Sequence, residues 1–189
     1  MTEACLPDQL TPCAPSDLYA ALGGAWSRIM PTEPCSRASL LLLVAHWGLE
    51  TGFGHFSHRW NIGNIKHLSG DGHDYVMVRL NEVKDGQVVW YDPPNPATWL
   101  RAYADLDGGC VDYLCRLRAE FRAAWPFVAG GDVAGFCHAL KVSGYYTADE
   151  ALYTAGVERC YRQLDAAIPD VETAVPDVEP HVDPTEPHV

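Results

Sequence analysis

The sequence predicts a mainly α-helical domain that carries one small β-hairpin lobe. Helical periodicity covers most of the chain, whereas one stretch, residues 75–92, alternates at the two-residue period of a strand. Asp85-Gly86 stands within that stretch and is a typical tight-turn signal. Because helical segments precede and follow the hairpin, the predicted fold class is α+β, with the strands segregated from the helices.

Taken in order, the elements predict one folded domain, residues 16–168, with an extension at each end. Residues 1–15 contain three prolines and read as an irregular N-terminal arm. Residues 169–189 are acidic and Pro-rich, which predicts a disordered tail. The expected helices of the domain are residues 16–30, 36–50, 99–103, 110–125, 132–140 and 149–167.

The charge and the apolar pattern exclude several classes of protein. The formal net charge is -12 at pH 7, and no basic stripe is present to neutralise the phosphates of a nucleic acid. The apolar run of residues 40–45 is far too short to span a membrane. The N-terminus has neither the basic start nor the apolar segment of a secretory signal. We therefore expect a protein made in the cytoplasm, without nucleic-acid partners or membrane insertion.

One carboxylate lies at the end of the predicted central helix. Glu50 follows the apolar run, and Gly52 accepts the left-handed conformation that ends a helix. The same face carries the residues three, four and seven positions back, which are Trp47, His46 and Leu43. A carboxyl group beside apolar side chains is poorly solvated, which raises its pKa. Glu50 is therefore a candidate general acid.

A second carboxylate, Glu82, lies on the predicted hairpin. Two carboxylates across an aromatic cleft form the arrangement that cleaves glycosidic bonds: one protonates the leaving oxygen, and the other supports water or the oxocarbenium ion. Their separation distinguishes a retaining from an inverting enzyme, and the sequence leaves it open. A solvated helix end and an outward-facing hairpin residue are the simpler interpretations of Glu50 and Glu82.

Five ordered segments resemble glycoside hydrolase family 73, the bacterial glucosaminidase family of the lysozyme-like superfamily. Residues 50–54 (Glu-Thr-Gly-Phe-Gly) look like its Glu-Thr-Gly-Trp-Gly signature, and residues 60–66 resemble the Tyr-Asn-Leu-Phe-Gly-Ile-Lys segment that follows. Residues 81–86 and 99–103 are similar to its hairpin and to its Phe-Arg-x-Tyr element. Residues 144–147 (Gly-Tyr-Tyr-Thr) match the Gly-Tyr-Ala-Thr near its C-terminus.

The resemblance implies a lysozyme-like fold and endo-cleavage of the peptidoglycan glycan strand after N-acetylglucosamine, without a cofactor or a metal. It makes Glu50 the general acid. Glu82 would stabilise the developing cation, unless the acetamido group of the substrate does so. Asn61 and Lys66 would either support their loop or contact substrate. The full set of implied substrate-binding residues is Trp47, Phe53, Trp60, Asn61, Lys66, Tyr145 and Tyr153.

Two departures from the family pattern leave the cleaved bond open. Phe53 replaces the Trp of the signature, and Gly63-Asn64 replaces the Phe-Gly of the next segment. A groove with a different wall is compatible with a muramidase. A lytic transglycosylase is a further alternative.

Two other classes of function also stay open. His46 and Glu50 share a helix face, and His55 and His58 follow in a loop, so that a zinc site is one alternative. The His-Glu-x-x-His motif that would strengthen it is absent. The other alternative is a non-catalytic module that grips glycan or a protein partner, although such a module would not need Glu50.

A wall hydrolase without an export signal needs another route to the periplasm or the cell wall. A phage lysis system or a dedicated secretion machine would supply one. Delivery into rival cells would also require an inhibitor protein that protects the producer. The expected partners are thus the peptidoglycan strand and, for a delivered toxin, a secretion machine and an inhibitor.

Overall fold

The structure is a computed structural model that describes residues 3–84 and 87–169, without the side chains of residues 81–84. Six α-helices dominate these residues, and five short strands accompany them. The predicted mainly α, α+β class is confirmed. The predicted hairpin turn, Asp85-Gly86, and the predicted tail beyond residue 169 lie outside the described residues.

Four of the six described α-helices begin at a residue whose side chain satisfies a free backbone N–H group. A Ser or Asp side chain accepts this N–H, at Ser36, Asp105, Asp132 and Asp149. None of the described helices is both long and apolar enough to cross a membrane. In chain order the helices are α1 (Pro15–Ile29), α2 (Arg37–Thr51), α3 (Leu106–Ala119), α4 (Trp125–Gly130), α5 (Val133–Val142) and α6 (Glu150–Ala167).

The strands form a three-stranded sheet and a separate hairpin. They are β1 (Cys5–Leu6), β2 (Tyr75–Met77), β3 (Asn81–Lys84), β4 (Gln87–Trp90) and β5 (Trp99–Arg101). In the sheet, β2 pairs parallel with β1 and antiparallel with β5. In the hairpin, Asn81 lies opposite Trp90 and Lys84 opposite Gln87. The predicted hairpin is therefore confirmed, and β1 ties the N-terminal arm to the domain.

Three predicted elements differ from the structure. The first predicted strand of the hairpin is divided into β2 and β3, because β2 pairs with β5 and not with β4. The expected helix at residues 99–103 is strand β5, since its backbone groups bond across to β2. The expected helix at residues 110–125 starts earlier, because Asp105 caps it, and ends at Ala119 before the separate helix α4.

Helix α2 lies in the centre of the fold. All its residues from Ser39 to Gly48 are buried, as expected for a helix that is packed on every side. Helices α1, α4 and α6 pack against it. Gly52 then adopts the left-handed conformation (φ 58°), and its N–H donates to the Gly48 carbonyl. Glu50 thus lies in the last turn, where the buried helix reaches the surface.

Candidate active site

Three cavities, with volumes of about 640, 440 and 300 Å³, meet at Glu50, which lines all of them. Together we call them the groove. Its α6 arm includes Tyr145, Tyr146, Asp149 and Tyr153. Its hairpin arm includes Phe56, His58, Asn64, Arg79 and Trp90. Its loop arm includes Asn64, Lys66, Arg116 and Tyr145. A concave surface of this kind, centred on one acid, suits an extended ligand.

Glu50 is shielded from water and held by hydrogen bonds. Its side chain is 17% exposed. The Tyr153 hydroxyl donates to Oε1 over 2.5 Å, and the Asn64 amide donates to Oε2 over 3.4 Å and to the Glu50 carbonyl over 2.7 Å. Burial raises the pKa of Glu50, and the hydrogen bonds from Tyr153 and Asn64 oppose that rise without cancelling it.

His46 lies behind Glu50 in the core. Its side chain is completely buried, with Nδ1 2.6 Å from the Tyr113 hydroxyl and Nε2 2.8 Å from the Tyr153 hydroxyl. Nε2 is also 3.6 Å from Oε1 of Glu50. Burial lowers the pKa of His46 to about 3, so that the imidazole is neutral at physiological pH. His46 therefore adds no positive charge beside the carboxyl group.

The structure corrects the prediction that Trp47 lines the site. Its side chain is completely buried and packs edge-on against Phe53, with the ring centroids 6.2 Å apart. Leu43, expected on the same face, is also fully buried. The helical period predicted which residues share a face with Glu50, but α2 is surrounded by other helices, so most of that face is core.

Two further predicted substrate-binding aromatics lie outside the three cavities. Phe53 packs against the core near Gly48. Trp60 is half-buried, and its backbone N–H donates to the Thr11 hydroxyl over 2.7 Å. Both residues have a positive φ, so they shape the loop that follows α2. Their predicted contact with substrate stays a prediction without support from the groove geometry.

Asn61 supports its loop, which is one of the two roles expected for it. The side chain is completely buried. Its Oδ1 accepts from the Ile65 N–H over 2.8 Å, and its Nδ2 donates to the carbonyls of Ile65 and Arg101, both at 2.9 Å. The loop thereby stays in a fixed conformation next to Glu50, since Asn64 lies within it.

The remaining predicted residues do reach the groove. Tyr145 lines two of its arms and donates its hydroxyl to the Gly63 carbonyl over 2.7 Å. Tyr153 lines the α6 arm and contacts Glu50 directly. Lys66 lines the loop arm and donates to the Ala97 carbonyl over 2.9 Å. Glu82 belongs to β3, but its side chain lies outside the described residues, so its role stays a prediction.

Sequence reasoning missed several groups of the groove. Asn64 contacts Glu50 twice, and its signal was the departure from the Phe-Gly of the family pattern. Phe56 and Trp90 line the hairpin arm and are 66% and 54% exposed. Arg116 reaches the loop arm from α3. These residues come from separate elements, and no spacing in the sequence brings them together.

The alternative zinc ligands do not assemble in the described part of the chain. Both ring nitrogens of His46 contact tyrosine hydroxyls, and His58 contacts Asp8 over 2.6 Å. Among the described residues, the one group of three with ligand atoms in mutual reach is Glu3, His67 and Asp71, which shares no residue with the groove. Its carboxylate oxygens already accept backbone N–H groups, and Arg101 binds Asp71 over 2.9 Å.

The fold was compared with known proteins. No family model and no curated protein matches the sequence. A peptidoglycan hydrolase from Sphingomonas sp. A1 superposes with a TM-score of 0.53 at 22% identity, over 79% of this chain and 89% of that one. A C-terminally truncated glycoside hydrolase domain of Salmonella typhimurium FlgJ gives 0.51 at 19% identity, over 80% and 98%. The chain therefore has the lysozyme-like fold of these hydrolase domains, as its resemblance to glycoside hydrolase family 73 implied.

Proposed function

We propose that this protein is a peptidoglycan hydrolase in which Glu50 is the general acid. The observation that carries the proposal is the position of Glu50, a mostly buried carboxyl group with a raised pKa at the meeting point of three cavities. A raised pKa keeps a carboxyl group protonated closer to neutral pH. The ordered sequence resemblance and the fold shared with a peptidoglycan hydrolase support the substrate class.

The arms of the groove offer groups that a peptidoglycan strand would contact. Phe56 and Trp90 are exposed aromatic side chains in the hairpin arm, and aromatic rings stack on sugar rings. The guanidinium of Arg79 lies over the Trp90 ring, 4.9 Å from its centroid. Lys66 and Arg116 line the loop arm. Their positive charges would attract the carboxylates of the lactyl group and the stem peptide. The chemistry of the lining is thus compatible with a glycan that carries acidic peptides.

The proposed reaction begins with proton transfer from Glu50 to the glycosidic oxygen, as the bond to the anomeric carbon breaks. The positive charge that develops on the sugar is stabilised by Glu82 or by the acetamido group of the substrate. Water then adds to the anomeric carbon and completes the hydrolysis. The favoured specificity is that of an endo-N-acetylglucosaminidase, with muramidase and lytic transglycosylase activity as the alternatives.

Mass spectrometry of borohydride-reduced digests tests the reaction and its specificity. Purified peptidoglycan would be incubated with the wild type, with Glu50→Gln and with Glu158→Gln, a control on α6 whose half-exposed side chain lies outside the groove. Reduced N-acetylglucosamine ends from the wild type and the control establish a glucosaminidase. Reduced N-acetylmuramic acid ends establish a muramidase, and anhydro ends a transglycosylase. No new ends from any protein would contradict the proposal and favour a non-catalytic binding module.

The proposal includes action at the cell wall after delivery by a phage lysis system or a secretion machine, with an inhibitor protein in the second case. Expression in a bacterial host tests the site of action. We expect lysis when a signal sequence is added that exports the chain to the periplasm, and no lysis when it stays in the cytoplasm. Equal toxicity in both compartments, or toxicity of exported Glu50→Gln, would contradict it.

A further inference from the structure

A buried chain of hydrogen bonds leads from the core to Glu50 and contains a residue that the proposed reaction does not use. It runs from the Tyr113 hydroxyl through both nitrogens of His46 to the Tyr153 hydroxyl and Oε1 of Glu50, over 2.6, 2.8 and 2.5 Å. We propose that His46 is a positioning residue that, through Tyr153, keeps Oε1 of Glu50 a hydrogen-bond acceptor and leaves the catalytic proton on Oε2. The inference rests on the proposed function, because it concerns the same general acid.

The hydrogen atoms available to this chain of hydrogen bonds can be counted. His46 is neutral, because burial lowers its pKa to about 3, and a neutral imidazole carries one N–H and one bare nitrogen. Burial also raises the pKa of Tyr113 and Tyr153, so each phenol keeps its hydrogen. Three hydrogens are thus present for three hydrogen bonds, and Oε1 needs to supply none.

The donor-to-acceptor direction of these hydrogen bonds follows from the groups at the two ends, Glu50 and Tyr113. Tyr153 gives its hydrogen to Oε1, so its oxygen accepts from His46. Nε2 of His46 is then the protonated nitrogen, and the bare Nδ1 accepts from the Tyr113 hydroxyl. Each buried donor in this arrangement has an acceptor.

The reverse direction requires a proton on Oε1 and an Nδ1–H on His46 that donates to Tyr113. The hydrogen of Tyr113 would then have no acceptor, because within the described residues the one hydrogen-bond partner of its hydroxyl is His46, and Tyr113 as a whole is 1% exposed. A buried donor without an acceptor is costly. The arrangement in which Tyr113 donates to His46, His46 to Tyr153 and Tyr153 to Glu50 is therefore favoured, also when Glu50 is protonated.

This direction gives the two carboxyl oxygens of Glu50 different roles. Oε1 is occupied by the Tyr153 hydroxyl, with Nε2 of His46 a further 3.6 Å contact. For Oε2, the one polar contact in the described part of the chain is the long 3.4 Å approach of Asn64. The proton of the acid form consequently belongs on Oε2, which leaves it free to reach a glycosidic oxygen in the groove.

Other ionisable groups lie near Glu50. Tyr145, in the loop after α5, lines two of the cavities that Glu50 lines, and its own pKa is raised by burial and by the charge of Glu50. The groove adds His58, Lys66, Arg79, Arg116 and Asp149. None of these side chains makes a described hydrogen bond to the carboxyl group, and all remain unchanged in the variants below. Differences between those variants therefore report on the hydrogen bonds that link His46 to Glu50 through Tyr153.

The tautomer of His46 can be read without any catalytic turnover. We would record long-range ¹⁵N–¹H spectra of the folded protein labelled in histidine, and identify the His46 signals by their loss in His46→Gln. The expected result is a protonated Nε2 and a bare Nδ1 from pH 5 to pH 8. A protonated Nδ1 with a bare Nε2, or an imidazolium, would overturn the inference even if the protein cleaves glycan.

Variants then test whether His46 acts through Tyr153. Tyr153→Phe removes a donor that lowers the pKa of Glu50, so the alkaline limb of the pH–rate profile should move to higher pH and kcat fall about tenfold. His46→Leu should likewise move the alkaline limb to higher pH and lower kcat. His46→Gln, whose amide can still donate to Tyr153, should keep much of the wild-type kcat. The double variant His46→Leu/Tyr153→Phe should match Tyr153→Phe alone. Tyr161→Phe, on the same helix outside the groove, is the control.

Additive effects of His46→Leu and Tyr153→Phe, or an unmoved pH profile with an equal loss from His46→Gln, would mean that His46 only fills space. The titration of Glu50, followed by ¹³C NMR of its labelled carboxyl carbon, gives the same comparison in a protein that turns over no substrate. A wild type without hydrolytic activity would therefore refute the proposed function and leave the tautomer and the titration to decide this inference.

Discussion

At Glu50, burial and hydrogen bonding act on the pKa in opposite directions. Burial raises it, whereas the donors Tyr153 and Asn64 lower it, and burial is the larger effect. The sequence predicted the buried carboxyl group and the direction of the shift. It did not predict Tyr153 as the direct partner of Glu50, because the two residues are 103 positions apart and meet only when α6 packs on α2.

The raised pKa makes a prediction about the pH dependence of activity. A general acid works in its protonated form, so the rate should fall as the pH rises through the pKa of Glu50. We expect the midpoint of this alkaline limb to lie above the ordinary glutamic acid value of 4.5. Asn64→Ala, which removes a weak donor, should move the midpoint further up. The measurement is the rate of wall-suspension clearing against pH, and a midpoint at or below 4.5 would contradict the assignment.

At the scale of elements, the loop after α2 depends on glycines that the signature motif contains. Gly54 has φ 83°, and a Cβ added there would lie 2.7 Å from Cζ2 of the buried Trp47. The buried Trp47 and the signature glycines thus belong to one packing arrangement. This explains why an aromatic residue only three positions before Glu50 lies in the core.

Gly54→Ala should destabilise the protein more than Gly70→Ala. Both glycines have a positive φ, but nothing lies within 4 Å of a Cβ added at Gly70. The shared cost of the left-handed backbone cancels in the comparison, which leaves an overpacking cost of about 1–3 kcal/mol at Gly54. Urea unfolding monitored by circular dichroism measures the difference. Equal free energies of unfolding for the two variants would show that Trp47 can move aside.

The strands show which pairings the sequence periodicity can predict. The alternating pattern and the Asp85-Gly86 signal predicted the pairing of β3 with β4, which is local. The pairing of β2 with β5, and of β1 with β2, joins distant segments and was missed. Strand pairing between distant segments depends on the assembled fold, which a pattern within one segment does not contain.

Glu82 on β3 carries a prediction that separates two ways of stabilising the cation. If Glu82 is the second carboxylate, Glu82→Gln should lower kcat about tenfold or more, while Asp85→Asn, three positions further along the sequence, should have little effect. Turnover of purified peptidoglycan by the three proteins gives the answer. Full activity of Glu82→Gln would leave the substrate acetamido group as the stabilising group.

At the scale of the whole molecule, the order of helices and hairpin was sufficient to predict the class of fold. The groove was not predictable in the same way, because its three arms draw on the loop after α2, the hairpin, α3 and α6. The five ordered sequence segments found its centre at Glu50 and part of its wall. Trp90, Phe56 and Arg116 became visible only when the elements were assembled.

Because His46 is buried, the free energy of unfolding of the whole fold should depend on pH. The pKa of His46 is about 3 in the folded protein and an ordinary 6.5 when exposed, so below pH 6.5 the unfolded chain binds a proton that the folded chain does not. The free energy of unfolding should therefore fall with decreasing pH, by up to ~1.4 kcal/mol per pH unit, more steeply than in His46→Gln.

Urea unfolding of the wild type, His46→Gln and His138→Gln at pH 7, 6 and 5 measures this dependence. His138 is an exposed histidine on α5, and its variant is the control for replacing a histidine outside the core. Parallel pH dependence in all three proteins would show that His46 does not titrate on unfolding as its burial requires.

The central claim, that Glu50 is the acid of a peptidoglycan-cleaving groove, is tested most directly by the release of soluble reducing ends from purified sacculi. The comparison is between the wild type, Glu50→Gln and Glu158→Gln, each shown by circular dichroism to be folded. We predict release by the wild type and Glu158→Gln, and a loss of about 100-fold or more in Glu50→Gln. Wild-type release by Glu50→Gln would contradict the claim.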